Sequence, residues 1–193
     1  NGAIALSLDV AVTGGRPVTP GVRFPTLRGL RVGAADDTWY LWGCKGGIVH
    51  TARVELAHYY GGEYPLQVAD VFNPAAGGGV ALQTRDRSCL FKKWRMRKDA
   101  DGVDWSLDYW PSGASPGDSV PTAPVELTAH AGGWREALGL YRDWTRTWYR
   151  PAVPRKDWFR QCFNYRQHYA WLDLRDRATG RWRIEDGIRA DRE

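Results

Sequence analysis

The sequence predicts a mainly β protein: an antiparallel β-sandwich, then one amphipathic helix, then the first strand of a second unit. Short segments with apolar side chains at alternate positions recur along residues 1–131, and turns rich in Gly, Pro and Asp separate them by about 8–12 residues. The apolar period changes to that of a helix at Trp134. A proline-marked linker at residues 151–154 then precedes a fresh apolar segment.

The first half of the chain carries several short predicted strands. Apolar and polar side chains alternate near the N-terminus, and a Gly-Gly turn follows them. Pro25 divides the next apolar segment, because proline has no amide hydrogen to donate inside a sheet. The strands predicted in this half lie at residues 4–12, 22–25, 27–32, 38–42 and 48–54. We expect no helix longer than two turns before residue 130.

The second half of the sandwich consists of two predicted hairpins and a closing strand. Glycines connect the first pair of strands, and an Asp101-Gly102 turn, the strongest short turn signal in the chain, connects the second pair. The predicted strands lie at residues 66–72, 79–84, 89–96, 103–110 and 125–130. Many short strands without intervening helices favour a sandwich over alternating β/α units.

One amphipathic helix is predicted at residues 134–148. The large side chains expected to be buried on its apolar face are Trp134, Leu138, Tyr141 and Trp144. Pro151 and Pro154 end this helix, because proline disfavours helical backbone at the residue before it. The predicted organisation is therefore a sandwich at residues 1–131, a connecting helix with its proline linker at 132–156, and a further unit at 157–193.

Composition and charge exclude several classes of function. The net charge is +5, but the basic cluster at residues 92–98 is followed at once by aspartates, so no nucleic-acid partner is predicted. The three cysteines and four histidines have no metal-ligand spacing, and we predict neither a metal nor another cofactor. No apolar run approaches the roughly 18 residues of a membrane span. The sequence does not indicate a cellular compartment.

Several short motifs occur in an order that resembles a known layout. They are Phe24-Pro25, Tyr64-Pro65, Phe72-Asn73, Gly78-Gly79-Val80, Thr84-Arg85-Asp86, Gly133-Trp134 and the helix that contains Tyr141-Arg142-Asp143-Trp144. The order resembles glycoside-hydrolase-like proteins in which an N-terminal β-sandwich leads, through one helix, into a (β/α)8 barrel. It resembles in particular a bacterial group catalogued as a domain of unknown function, similar in layout to α-galactosidases and endo-acting α-N-acetylgalactosaminidases.

The resemblance implies that this chain is a fragment that ends at the start of a truncated (β/α)8 barrel. Residues 158–168 are then the first barrel strand, and residues 181–193 approach the first barrel helix. The full-length protein is expected to hydrolyse glycosidic bonds with carboxylates that lie beyond Glu193. No catalytic residue is therefore predicted here, and the isolated chain is expected to be inactive. Asp70 and Asp86 are interpreted as turn or solvent carboxylates.

Two hypotheses for carbohydrate contact remain open. In the first, side chains at the carboxyl end of the predicted barrel strand bind the substrate, an oligosaccharide or glycoconjugate. These candidates are Asn164, Tyr165, Arg166 and His168. In the second, the sandwich is a non-catalytic carbohydrate-binding module in which a tryptophan forms a stacking platform. The candidates for that role are Trp39, Trp42, Trp94, Trp105 and Trp110. A purely structural role for the sandwich is a third possibility.

Overall fold

The structure is a computed structural model that describes residues 2–110, 113–150, 156–161 and 175–190. The chain divides into two compact units, Asn1–Tyr149 and Arg150–Glu193. The first unit is mainly β, and its sheets are antiparallel, which confirms the predicted fold class at that level. None of the helices in the described part of the chain is long and apolar enough to cross a membrane.

Twelve strands and one long helix are present in the described part of the first unit. The strands are β1 (Ala3–Leu6), β2 (Val10–Ala11), β3 (Val22–Leu30), β4 (Trp39–Trp42), β5 (Ile48–His50), β6 (Val54–Tyr59), β7 (Val68–Asn73), β8 (Gly78–Thr84), β9 (Lys92–Lys98), β10 (Val103–Tyr109), β11 (Ser119–Val120) and β12 (Val125–Ala131). The helix α1 spans Trp134–Trp148. Among the described residues before β12, a single 3₁₀ turn at Cys44–Gly46 is the only helical element, as the sequence predicts.

Two sheets face each other across one apolar core. The larger has the order β1-β12-β8-β7-β4-β5, and the smaller has the order β3-β10-β9-β6. Side chains from both sheets form the core, including Trp42 and Val71 of the first sheet and Trp94 and Trp105 of the second. Burying one large apolar side chain contributes roughly 1.5–3 kcal/mol, so this layer is the main source of stability in the unit.

Strand β3 runs through Pro25 as one continuous strand, where the sequence predicts two short ones. β3 is an edge strand that pairs only with β10. The register slips between Arg23 and Thr26, which leaves Phe24 and Pro25 opposite Leu107 in a bulge. Proline is tolerated at such a place, because neither an edge nor a bulge requires its missing amide hydrogen.

Helix α1 packs on the outer side of the larger sheet, at β7, β8 and β12. Its bounds match the prediction, but its large side chains are only half-buried, which corrects the expectation that Trp134, Leu138, Tyr141 and Trp144 are buried. Ala137 is the buried residue of the helix, against Val68 and Ala81. These small side chains let the helix backbone approach the sheet closely, so the larger residues lie along the sides of the contact.

The second unit has two short helices in its described part, α2 (Asp157–Arg160) and α3 (Ile184–Ala190). The sequence predicts a strand at residues 158–168, but Asp157–Arg160 form a helical turn, whose start favours an acidic side chain. A single antiparallel bridge joins Arg175 and Trp182. The remainder of the predicted barrel strand, at 162–168, lies outside the described residues, so the barrel stays a prediction.

Candidate functional site

The outward-facing side of the smaller sheet, here called the outer face, carries an unusual set of side chains. Alternate residues of a strand point to opposite sides of a sheet. Because Trp94, Trp105 and Leu107 point into the core, their neighbours in the sequence point outward. Three strands of this sheet contribute outward-facing residues to the outer face. These residues are Tyr59 of β6, Lys93, Arg95 and Arg97 of β9, and Asp104, Ser106 and Asp108 of β10.

Three aromatic side chains form an exposed cluster at one end of the outer face, here called the aromatic platform: Tyr59, Phe91 and Trp110. Their exposed fractions are 49%, 58% and 37%. The rings of Tyr59 and Phe91 are stacked, with centroids 5.3 Å apart and planes inclined by 12°. The ring of Trp110 lies 6.0 Å from Tyr59 and 6.4 Å from Phe91. The ammonium group of Lys93 lies 4.9 Å from the Tyr59 ring, in cation–π contact.

Strand register brings these three side chains together. Tyr109 at the end of β10 pairs with Lys92 at the start of β9, so the residues just beyond them, Trp110 and Phe91, are neighbours across the hairpin. Tyr59 at the end of β6 pairs with Lys93 on the other side of β9. Three strand ends therefore meet at one edge of the outer face.

A buried ion pair holds the loop that presents Phe91. The Lys92 Nζ donates a hydrogen bond of 2.6 Å to Asp86 Oδ2, and both side chains are almost fully buried. Burial lowers the pKa of Lys92, and the hydrogen bond from its ammonium group to Asp86 opposes that shift. The backbone amides of Ser88 and Leu90 donate to the two oxygens of the same carboxylate. Asp86 thus holds the turn that follows it, which confirms the predicted role as a turn carboxylate, but it is buried and not in contact with solvent.

Beside the platform, one buried carboxylate holds two arginines. The Asp108 side chain is 7% exposed, and the Nε atoms of Arg23 and Arg95 each lie 2.5 Å from one of its oxygens. Arg23 Nη2 donates a further bond of 3.2 Å. Burial raises the pKa of Asp108, but the hydrogen bonds from Arg23 and Arg95 outweigh it, so the net pKa lies below its ordinary value. Asp108 is therefore a carboxylate at neutral pH and fixes both guanidinium groups.

An open pocket of about 340 Å³ joins the aromatic and charged parts of the outer face. It is lined by Gly21, Val22, Arg23, Arg95, Asp108 and Trp110. A second depression continues along the same face, where Arg23 and Arg95 are again part of the lining, together with Arg97 and Asp104. The outer face thus offers flat apolar rings, hydrogen-bond donors on guanidinium groups and an elongated open shape. Such a combination suits a ligand with apolar ring faces and polar edges.

The structure separates the five tryptophan candidates into two groups. Trp42, Trp94 and Trp105 are at most 1% exposed, so the hypothesis that they form a stacking platform is wrong. Trp39 and Trp110 are partly exposed, and Trp110 belongs to the aromatic platform. Asn164, Tyr165, Arg166 and His168 lie outside the described residues, and their predicted role in substrate binding stays a prediction.

Sequence reasoning missed Tyr59, Phe91, Arg23 and Asp108 as site residues. One available signal was the predicted hairpin at residues 89–96 and 103–110. Its Asp-Gly turn implies a register in which residues near its open end, such as Phe91 and Trp110, face each other. No local signal exists for Arg23 and Asp108, because these two residues are 85 positions apart in the chain.

A second polar cluster lies on the opposite side of the sandwich, under helix α1. His130 Nε2 is 2.9 Å from Asp70 Oδ1, and its Nδ1 is 3.1 Å from the Ala131 carbonyl oxygen. Both ring nitrogens face oxygen acceptors. Only the imidazolium form carries a hydrogen on each nitrogen and can donate to both oxygens. The hydrogen bond to Asp70 accordingly raises the pKa of His130. Asp70 is fully buried within β7, so its interpretation as a turn or solvent carboxylate is wrong.

The His130–Asp70 pair is a structural contact. His130 lies on β12 and Asp70 on β7, and the imidazole crosses over Gly79 of the intervening strand β8 to reach the carboxylate. Its two ring nitrogens are held by the Asp70 carboxylate and by a backbone carbonyl, and we therefore assign the pair no catalytic role. Within the described residues there is also no group of three His, Cys, Asp or Glu side chains placed to hold a metal ion.

In comparisons with known proteins, no family model and no curated protein matched the sequence.

Proposed function

We propose that this chain is the β-sandwich part of a glycoside-hydrolase-like, carbohydrate-active protein, and that the outer face of the smaller sheet binds the carbohydrate. The aromatic platform carries this proposal. Three mutually contacting aromatic rings are exposed at one edge of the smaller sheet, whereas Trp94, Trp105 and Tyr109 of that sheet are buried. Sugar rings present C–H groups on their faces and hydroxyl groups at their edges, and such faces stack on exposed aromatic rings.

The charged neighbours of the platform supply the polar contacts that the edge of a sugar ring needs. The Asp108 carboxylate lies with Arg23 and Arg95 beside Trp110 in one open pocket. Guanidinium groups held in place by a buried carboxylate are suited to donate directed hydrogen bonds to a polar ligand.

We also propose that the full-length protein hydrolyses glycosidic bonds. Among the described residues, the buried carboxylates of Asp70, Asp86 and Asp108 all have structural partners. We assign none of them a catalytic role, and the proposal retains the expectation that the catalytic carboxylates belong to the barrel beyond Glu193.

The substitution Trp110→Ala tests carbohydrate binding. A panel of neutral and acidic polysaccharides is screened by affinity electrophoresis, and binding oligosaccharides are then titrated by calorimetry. We expect Trp110→Ala to weaken binding at least about tenfold, which corresponds to about 1.4 kcal/mol. Trp39→Ala is the matched control, because Trp39 has nearly the same exposed fraction, 36%, but belongs to the other sheet. Equal affinity of the wild type and Trp110→Ala, or no binding to any polysaccharide, contradicts the proposal.

A further inference from the structure

We infer that the carbohydrate bound by the outer face is acidic, with a carboxylate or sulfate group held by Arg23 and Arg95 while the adjoining ring stacks on Trp110. This inference rests on the proposed function and names the class of its ligand. It depends on how the charges and the free hydrogen-bond donors of this pocket are arranged.

The pocket beside Trp110 has more positive than negative charge. Arg23 and Arg95 share the single carboxylate of Asp108, so one positive charge there is not compensated by that carboxylate. Lys93 adds another cation on the same face, above the ring of Tyr59. Arg97 is different, because it pairs with Asp99 at 2.7 Å and does not line the pocket next to Trp110.

The two guanidinium groups also keep unused donors. Arg95 engages Asp108 through Nε, and Arg23 does so through Nε and Nη2. Within the described residues, Nη1 and Nη2 of Arg95 and Nη1 of Arg23 make no hydrogen bond. Their side chains are 33% and 55% exposed, respectively, so these donors are accessible from solvent.

The carboxylate that holds the arginines does not oppose an anionic ligand at close range. Both oxygens of Asp108 accept hydrogen bonds from arginine, and its side chain is only 7% exposed. A ligand in the pocket therefore meets guanidinium N–H groups. A carboxylate or sulfate group accepts two parallel hydrogen bonds from a guanidinium group and neutralises its charge, which a neutral hydroxyl group does not do. A neutral sugar leaves the excess positive charge without a partner.

The inference is tested with two pairs of oligosaccharides, and the members of each pair differ in whether the acidic group is present or has been esterified or removed. The first pair is an oligogalacturonide and its methyl ester, and the second is a sulfated galactan oligosaccharide and its desulfated form. Each is titrated into the 193-residue chain by calorimetry at low and at high salt. We expect an acidic member to bind at least about tenfold more tightly than its neutral form, with an affinity that falls as salt screens the charges. The preferred pair distinguishes a carboxylate from a sulfate ligand.

The variant Arg95→Gln tests whether the preference for acidic oligosaccharides arises in the pocket beside Trp110. Arg23 still pairs with Asp108 in this variant, and a thermal melt and an amide spectrum check that the fold is kept. We expect Arg95→Gln to remove most of the preference for the acidic form. The control Arg53→Gln keeps it, because Arg53 is an exposed arginine that pairs with Asp36 and lines neither depression of the outer face. Equal binding of the charged and neutral forms, with sensitivity to Trp110→Ala, overturns this inference and leaves the proposed function standing. Absence of binding by all four probes overturns this inference, and the full polysaccharide panel then decides the proposed function.

Discussion

Replacing Gly79 with alanine is expected to break the contact that joins three strands beneath helix α1. A Cβ atom at this position lies 2.7 Å from His130 Cε1, 2.7 Å from His130 Nε2 and 2.7 Å from Phe72 Cβ. Real side chains do not tolerate such distances. Strand pairing places both His130 and Phe72 directly opposite Gly79, so the imidazole ring must leave its place over β8.

The loss of stability comes from the Asp70 carboxylate, which loses its hydrogen-bond partner when the imidazole ring of His130 moves away. Asp70 is fully buried, its Oδ2 atom has no hydrogen-bond partner, and its Oδ1 atom accepts from His130. Removing one partner of a buried charged pair typically costs about 3–5 kcal/mol, because the other charge stays in the interior. We therefore expect Gly79→Ala to reduce the free energy of unfolding by about this amount.

Urea unfolding at neutral pH, followed by circular dichroism and analysed by linear extrapolation, measures the effect. Gly139→Ala is the control, because a Cβ atom there meets nothing within 4 Å and the residue lies inside α1. Alanine in a helix is more stable than glycine by about 0.5–1 kcal/mol, so the control should be stabilised. A Gly79→Ala variant within about 0.5 kcal/mol of the wild type, the range of an ordinary surface substitution, would refute the reasoning.

Further predictions concern pH, a second buried pair and the helix. Because the pKa of His130 is raised in the folded state, its pairing with Asp70 adds stability below the unfolded pKa of about 6.5, and this contribution declines as pH rises through the folded pKa. The difference in unfolding free energy between wild type and Asp70→Asn is measured by urea titrations from acidic to alkaline pH. We expect this difference to shrink as pH rises. A difference that grows with pH contradicts the pairing of protonated His130 with Asp70. Lys92→Met leaves the Asp86 carboxylate buried without its cation and should cost about 3–5 kcal/mol; the same measurement on Lys92→Met with Asp86→Asn should show partial recovery. Trp144→Ala removes a half-buried side chain and should cost about 1–3 kcal/mol by thermal or urea unfolding, less than the truncation of a core tryptophan.

Local patterns in the sequence predicted much of the secondary structure. The period of the apolar residues and the flanking glycines and prolines predicted a helix at residues 134–148, and α1 has those bounds. The Asp101-Gly102 turn predicted the hairpin of β9 and β10. These features depend on neighbours in the chain, which is why they are readable without the fold. The strand predicted at residues 158–168 does not begin where expected, since Asp157–Arg160 form a helical turn. A short apolar segment carries no period that distinguishes a strand from a helix.

The sequence by itself thus determined the class of fold, the main hairpins and the boundaries of the long helix. The tertiary structure decided which tryptophans are buried, since Trp94 and Trp110 belong to the same type but lie on opposite sides of the smaller sheet. It also decided the partners of the polar residues, because Asp108 meets Arg23 across 85 positions and His130 meets Asp70 across 60. Such pairs depend on which strands become neighbours and in which register, and a shift of one residue turns every side chain of a strand to the other face.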